Sequence, residues 1–126
     1  MKKGLFSFLL VVVLTLSFAT AVFAENEKQT KSVHNSEETS LSINGQYQYG
    51  RLSVYWISGY SNVWASIEAY EQGSWKTVLT LVANGDKPKV TTNYYMEGGK
   101  SYRLHVYSPD NGVAAIQNYP EDDGPW

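Results

Sequence analysis

The chain has 126 residues, a formal net charge of −2 and no cysteine. That length holds one domain around one hydrophobic core, and the charge gives no general electrostatic pull toward nucleic acid or an anionic membrane surface. Without thiols there is no disulfide framework, no thiolate metal site and no cysteine nucleophile.

The chain begins with Lys2 and Lys3, followed by an uncharged stretch from Gly4 to Ala24 that contains the apolar run Phe8-Leu9-Leu10-Val11-Val12-Val13-Leu14. Val22-Phe23-Ala24 then places small residues before Glu25. This pattern predicts a secretory signal peptide over residues 1–24, cleaved near Ala24, so that the protein is secreted and meets a membrane only during export. Ser7, Thr15, Ser17 and Thr20 dilute the stretch and no basic cluster follows it, which argues against a permanent anchor. Ala19-Thr20-Ala21 offers a second cleavage point.

Beyond the leader, eight Lys and Arg face twelve Asp and Glu, leaving about −4. All four Phe fall within the leader, so the remainder carries ten Tyr and four Trp, side chains suited to half-exposed positions. A cysteine-free exported domain fits a Gram-positive or similarly disulfide-poor bacterial exporter.

Residues 25–40 contain one aliphatic side chain, Val33, and read as a disordered spacer. The folded domain is expected over residues 41–118. Leu52, Val54 and Trp56 alternate with Ser53 and Tyr55, the period of a strand. After the turn residues Ser58 to Asn62, a second alternation places Val63, Ala65, Ile67 and Ala69 on one face and Trp64, Ser66, Glu68 and Tyr70 on the other. Glu71-Gln72-Gly73-Ser74 predicts a turn, and Trp75 to Ala83 a strand. Asn84-Gly85-Asp86-Lys87 predicts a tight hairpin with positive φ, leading to a strand from Lys89 to Met96. Glu97 to Lys100 turns again, and Tyr102, Leu104 and Val106 alternate with Arg103, His105 and Tyr107. Ser108-Pro109-Asp110-Asn111-Gly112 is expected to end that strand before a last short one over Val113 to Asn118. Residues 119–126, acidic and proline-broken, read as an extended tail. Six or seven short strands, most covered on one face, predict an all-β antiparallel sandwich of two sheets.

Leu52-Ser53-Val54-Tyr55-Trp56 resembles the second strand of fibronectin type III domains, and Met96-Glu97-Gly98-Gly99-Lys100-Ser101-Tyr102-Arg103-Leu104-His105-Val106 resembles the sixth. The resemblance is to architecture. It implies a core role for Trp56 and a tyrosine corner at Tyr102, whose hydroxyl reaches upstream backbone. It also implies that the Val63–Tyr70 and Tyr102–Tyr107 strands are neighbours, which gathers Trp64, Glu68, Tyr70, Arg103, His105 and Tyr107 on one outer face. Aromatic rings beside charged hydrogen-bonding groups suit stacking on sugars or anchoring a protein.

No catalytic motif is present. His34 lies in the expected spacer, His105 alternates with core residues, and Glu68 and Glu71 differ in strand parity. Asp110-Asn111-Gly112 and Glu121-Asp122-Asp123 read as turn chemistry and solubility, so no metal and no cofactor is expected. The sequence thus predicts a non-enzymatic binding module whose partner is a cell-wall polysaccharide or an extracellular protein. A bacteriocin-like antimicrobial and a self-associating biofilm or coat protein are the alternatives.

Overall fold

The computed structural model describes residues 25–122. The expected signal segment, 1–24, and the end of the expected tail, 123–126, lie outside the described residues.

The described chain forms strands β1 (Lys28–Thr39), β2 (Ile43–Asn44), β3 (Gln48–Ser58), β4 (Val63–Glu71), β5 (Ser74–Ala83), β6 (Lys89–Met96) and β7 (Ser101–Gln117). Every pairing is antiparallel. The strands make one continuous sheet with the order β5-β4-β7-β3-β6, and β1 and β2 also pair with β7. The long strand β7 organises this arrangement. Tyr102 to Tyr107 pair with β4, Asn111 to Gln117 pair with β3, and β1 accompanies β7 through both parts. β3 packs against β4 and β5 without pairing to either, so the sheet curls into a half-barrel around its core.

Three local expectations change. Residues 28–39, read as spacer, are strand β1. The segment has a single apolar side chain, Val33, but its backbone pairs with β7 from Lys28↔Gln117 to Thr39↔His105, and Val33 enters the core at 3 % exposure. A count of apolar residues is blind to such main-chain pairing.

The expected turn at Ser108 to Gly112 lies inside β7 as a bend. Pro109 has no N–H for the ladder, and Ser108 Oγ donates to the Asn62 carbonyl (2.9 Å) while accepting from the Asp110 N–H (3.0 Å). β1 shifts register at the same level, with Asn35 at φ 47°, so both long strands pivot together. Gly112 permits the close approach there, since a Cβ would stand 2.4 Å from Val63 Cγ2. Because β1 and β7 run through both halves, the expected two sheets are joined as one.

Asn84 to Lys87 does form a turn, but Asn84 and Gly85 lack positive φ and β5 and β6 do not pair. The Asn84 side chain closes it, Oδ1 accepting from the N–H groups of Asp86 and Lys87 (both 3.0 Å). The strands then diverge, β5 to β4 and β6 to β3. By contrast, Gln72 (φ 51°) and Gly73 (φ 84°) make the primed two-residue hairpin between paired Glu71 and Ser74.

Side-chain parity follows the sequence. Leu52, Val54, Val63, Ala65, Ile67, Leu104, Val106, Ala114 and Ile116 are buried in one cluster. Trp56 packs on it only half-buried, at the end of the core, whereas Tyr102 is 2 % exposed. The Glu97 N–H donates to the Tyr102 hydroxyl at 2.9 Å, the upstream backbone contact expected of a tyrosine corner. The first described residues are held by Asn118, fully buried, which bonds the backbone of Glu25, Glu27 and Asn44.

Candidate functional site

The β4–β7 register places Trp64 opposite Tyr107, Ser66 opposite His105 and Glu68 opposite Arg103. Since Ala65, Ile67, Leu104 and Val106 are buried, alternation turns the intervening side chains to the outer face. All six expected site residues therefore share one surface. β5 extends it on one side through Trp75, paired with Tyr70, and β1 on the other through Glu37, paired with Tyr107.

Two aromatic pairs mark the surface. The Trp64 and Tyr107 rings stack with centroids 5.6 Å apart and planes inclined by 26°. Tyr70 meets Trp75 edge-on at 5.2 Å. Tyr70 and Tyr107 keep 47 % and 42 % of their surface exposed, and Trp64 is half-buried. Trp64 and Tyr70 are six residue steps apart along the strand, about 20 Å.

The polar groups between the platforms are already engaged with one another. Arg103 Nε donates to Glu68 Oε1 at 2.7 Å, and its guanidinium carbon lies 4.2 Å from the centroid of the Trp75 ring. His105 Nε2 contacts the Glu37 carboxylate. These cross-strand contacts fix the side chains as a rigid ladder. Arg103 and His105 accordingly act first as struts of the face, while the tyrosine rings remain its accessible surface.

Sequence parity omitted Trp75 and Glu37. Trp75 falls in a run with several apolar neighbours, and β5 carries a register shift opposite Ile67 and Glu68 that breaks simple alternation. Glu37 sits in the segment read as spacer. Beside the face, Lys100 hydrogen-bonds Glu71 and ties the β4–β5 hairpin to the loop before β7. That bond holds the Glu71 carboxyl below its ordinary value and raises Lys100, and burial raises Tyr102.

The Asp110 carboxylate accepts from the N–H groups of Tyr60 (2.9 Å) and Ser61 (2.6 Å), and Asn111 bonds His34 and Ser58. Among the described residues no three His, Asp or Glu side chains gather as a metal site, and no helix is long and apolar enough to cross a membrane. No protein-family model, no curated protein and no solved structure matches the chain.

Proposed function

We propose that this chain is a small exported, non-enzymatic binding protein that lays an extracellular or cell-wall polysaccharide along the outer face of β4 and β7. The observation that carries the reading is the pair of aromatic platforms, Trp64 on Tyr107 and Tyr70 on Trp75, set on one face with a polar ladder between them. Spaced rings with hydrogen-bonding groups in the gap suit an extended sugar polymer, whose rings alternate apolar faces with hydroxyl edges. A protein partner would call for a continuous apolar centre, and here Glu68, Arg103 and His105 interrupt it. Glycoside hydrolysis requires two carboxylates facing across a cleft by roughly 5–10 Å. The two acids on this face, Glu68 and Glu37, are tied to Arg103 and His105 instead.

The leader pattern of residues 1–24 supports export, and the curled sheet with its Tyr102 corner supports a sandwich-like domain of the fibronectin type III kind. The test is co-sedimentation of the purified protein with peptidoglycan and a panel of insoluble polysaccharides, against the Trp64→Ala, Tyr107→Ala double variant. Pelleting of the wild type alone, with both proteins giving the same circular dichroism spectrum, supports the reading. Equal behaviour of the two proteins on every polymer overturns it.

A further inference from the structure

At one end of the half-barrel the β3–β4 loop and the Asn84–Lys87 turn enclose an open cleft of about 410 Å³. That volume lies in the range of roughly 300–1,000 Å³ typical of small-molecule sites. Trp56, Tyr60, Asn62, Asn84 and Asp86 line it. The cleft is separate from the aromatic face and shares none of its six residues.

Its walls are fixed before any ligand arrives. Gly59 stands at φ +121°, and a Cβ there would fall 2.1 Å from Asp110 Cγ, so the loop folds tightly over the carboxylate that accepts from Tyr60 and Ser61. The opposite wall is closed by the Asn84 side chain, and the Trp56 backbone N–H donates to the Pro88 carbonyl at 2.7 Å, which ties the floor to that wall. Pre-formed walls of this kind lower the ordering cost of binding.

The groups offered to a ligand are mixed in a specific way. Tyr60 is fully exposed and carries its ring at the rim. Trp56 forms part of the floor with its half-buried indole, whose Nε1 is itself shut away from the surface. The Cζ2–Cη2 edge of the same indole lies beneath Gly85, where a Cβ would be 3.6–3.7 Å away. Among the described residues, the Asp86 carboxylate and the Asn62 amide make no hydrogen bond within the protein. Asn84 uses its oxygen for the turn and keeps its amide N–H groups.

A phosphate or another anion meets a carboxylate here and no lining Arg or Lys, and a purely apolar ligand strands the polar rim. A pyranose answers both requirements, with an apolar face for the aromatic side chains and hydroxyls that both donate to Asp86 and accept from the amides of Asn62 and Asn84. We infer that this cleft is a second binding site, one that takes a single pyranose unit at the end of a glycan chain.

The experiment follows the tryptophan indole N–H resonances of the labelled protein, assigned with Trp→Phe variants, during titration with tetrasaccharides of glucose, mannose and N-acetylglucosamine. At least one tetrasaccharide is expected to shift the Trp56 Nε1–H signal and leave that of Trp64 in place. Tyr60→Ala and Asp86→Asn, both at exposed positions, are each expected to weaken that binding at least tenfold, and the Trp64→Ala, Tyr107→Ala variant to preserve it. The inference fails if no tetrasaccharide moves the Trp56 signal at millimolar concentration, or if the shift survives both cleft variants unchanged. Shifts confined to Trp64 and Trp75 sink the cleft and leave the face reading standing. Failure of the wild type to pellet with any polymer, with the Trp56 response intact, does the reverse.

Discussion

Asn118→Ala is expected to destabilise the domain by about 2–3 kcal/mol. The side chain makes three hydrogen bonds: Nδ2 donates to the carbonyls of Glu25 (2.9 Å) and Asn44 (2.7 Å), and Oδ1 accepts from the Glu27 N–H (2.8 Å). A net value of about 1 kcal/mol per bond gives roughly 3. Part of this is recovered because Glu25 and Asn44 are exposed, so water satisfies their carbonyls once the amide is gone. For a domain of about 100 residues the loss corresponds to a fall of roughly 10–20 °C in Tm. Urea unfolding followed by tryptophan fluorescence gives the free energy, and hydrogen exchange at residues 25–34 separates fraying of β1 from global unfolding. A change below about 0.5 kcal/mol with unaltered protection of β1 refutes the clamp.

Asn118→Asp tests the same geometry with nearly the same shape. It replaces a donor with an oxygen aimed at two carbonyls and buries a carboxylate, which raises its folded-state pKa. The folded state then binds the proton more tightly than the unfolded chain, so this variant gains stability as pH falls, and acidification narrows its deficit against the wild type.

Tyr102→Phe removes the hydroxyl that accepts from the Glu97 N–H and is expected to cost about 1–2 kcal/mol in urea unfolding with no change of fold by circular dichroism. Ile67→Ala, at a fully buried position in the core cluster, is expected to cost about 2–5 kcal/mol in the same assay. Glu71→Gln removes a carboxyl whose folded pKa is depressed below 4.5 by Lys100. The stabilisation from that group is complete above 4.5 and lost as pH falls through the folded value, so the variant's stability declines less steeply over the acid limb of a pH–stability profile. Gly59→Ala forces a Cβ into Asp110 and loosens the loop carrying Tyr60, which amide exchange at Tyr60 and Ser61 reports as faster opening.

What the sequence made legible was parity. Alternation in Val63 to Tyr70 and Tyr102 to Tyr107 separated core from surface, because a strand has only two faces, and the pairing of those strands then assembled the β4–β7 part of the outer ladder without Trp75 and Glu37. β1 was hidden because its contribution is main-chain bonding, which leaves no hydrophobic pattern in Lys28–Thr39. The bend in β7 was hidden because Ser, Pro, Asp, Asn and Gly mark any departure from straight strand, and whether the chain reverses or continues depends on the partners at that level. Here β1 and β7 pivot together and the chain continues. The end cleft left no signal at all. Its floor comes from the end of β3 and its walls from a loop and a turn more than 20 residues apart, which only the curl of the sheet brings together.

That curl also relates the two candidate sites. Asn62 lies two residues before Trp64, and Asn84 two residues after Val82, the partner of Trp64 in β5. Two strand residues span about 7 Å, so the rim of the cleft begins about one ladder step beyond the Trp64–Tyr107 stack. On the proposed reading, a glycan running along the face from Tyr70 toward Trp64 would therefore reach the cleft mouth. Weak binding at both places by one chain raises the affinity of the whole above that of either part, provided the glycan spans the gap. Long polymers should then bind more tightly than the tetrasaccharides that fill only one site, and a variant lacking either the Trp64–Tyr107 stack or the Tyr60 and Asp86 side chains should lose that length dependence while retaining the remaining site. Isothermal titration with glycans of increasing length measures it directly. An affinity that stays flat with length in the wild type shows that the two sites work separately.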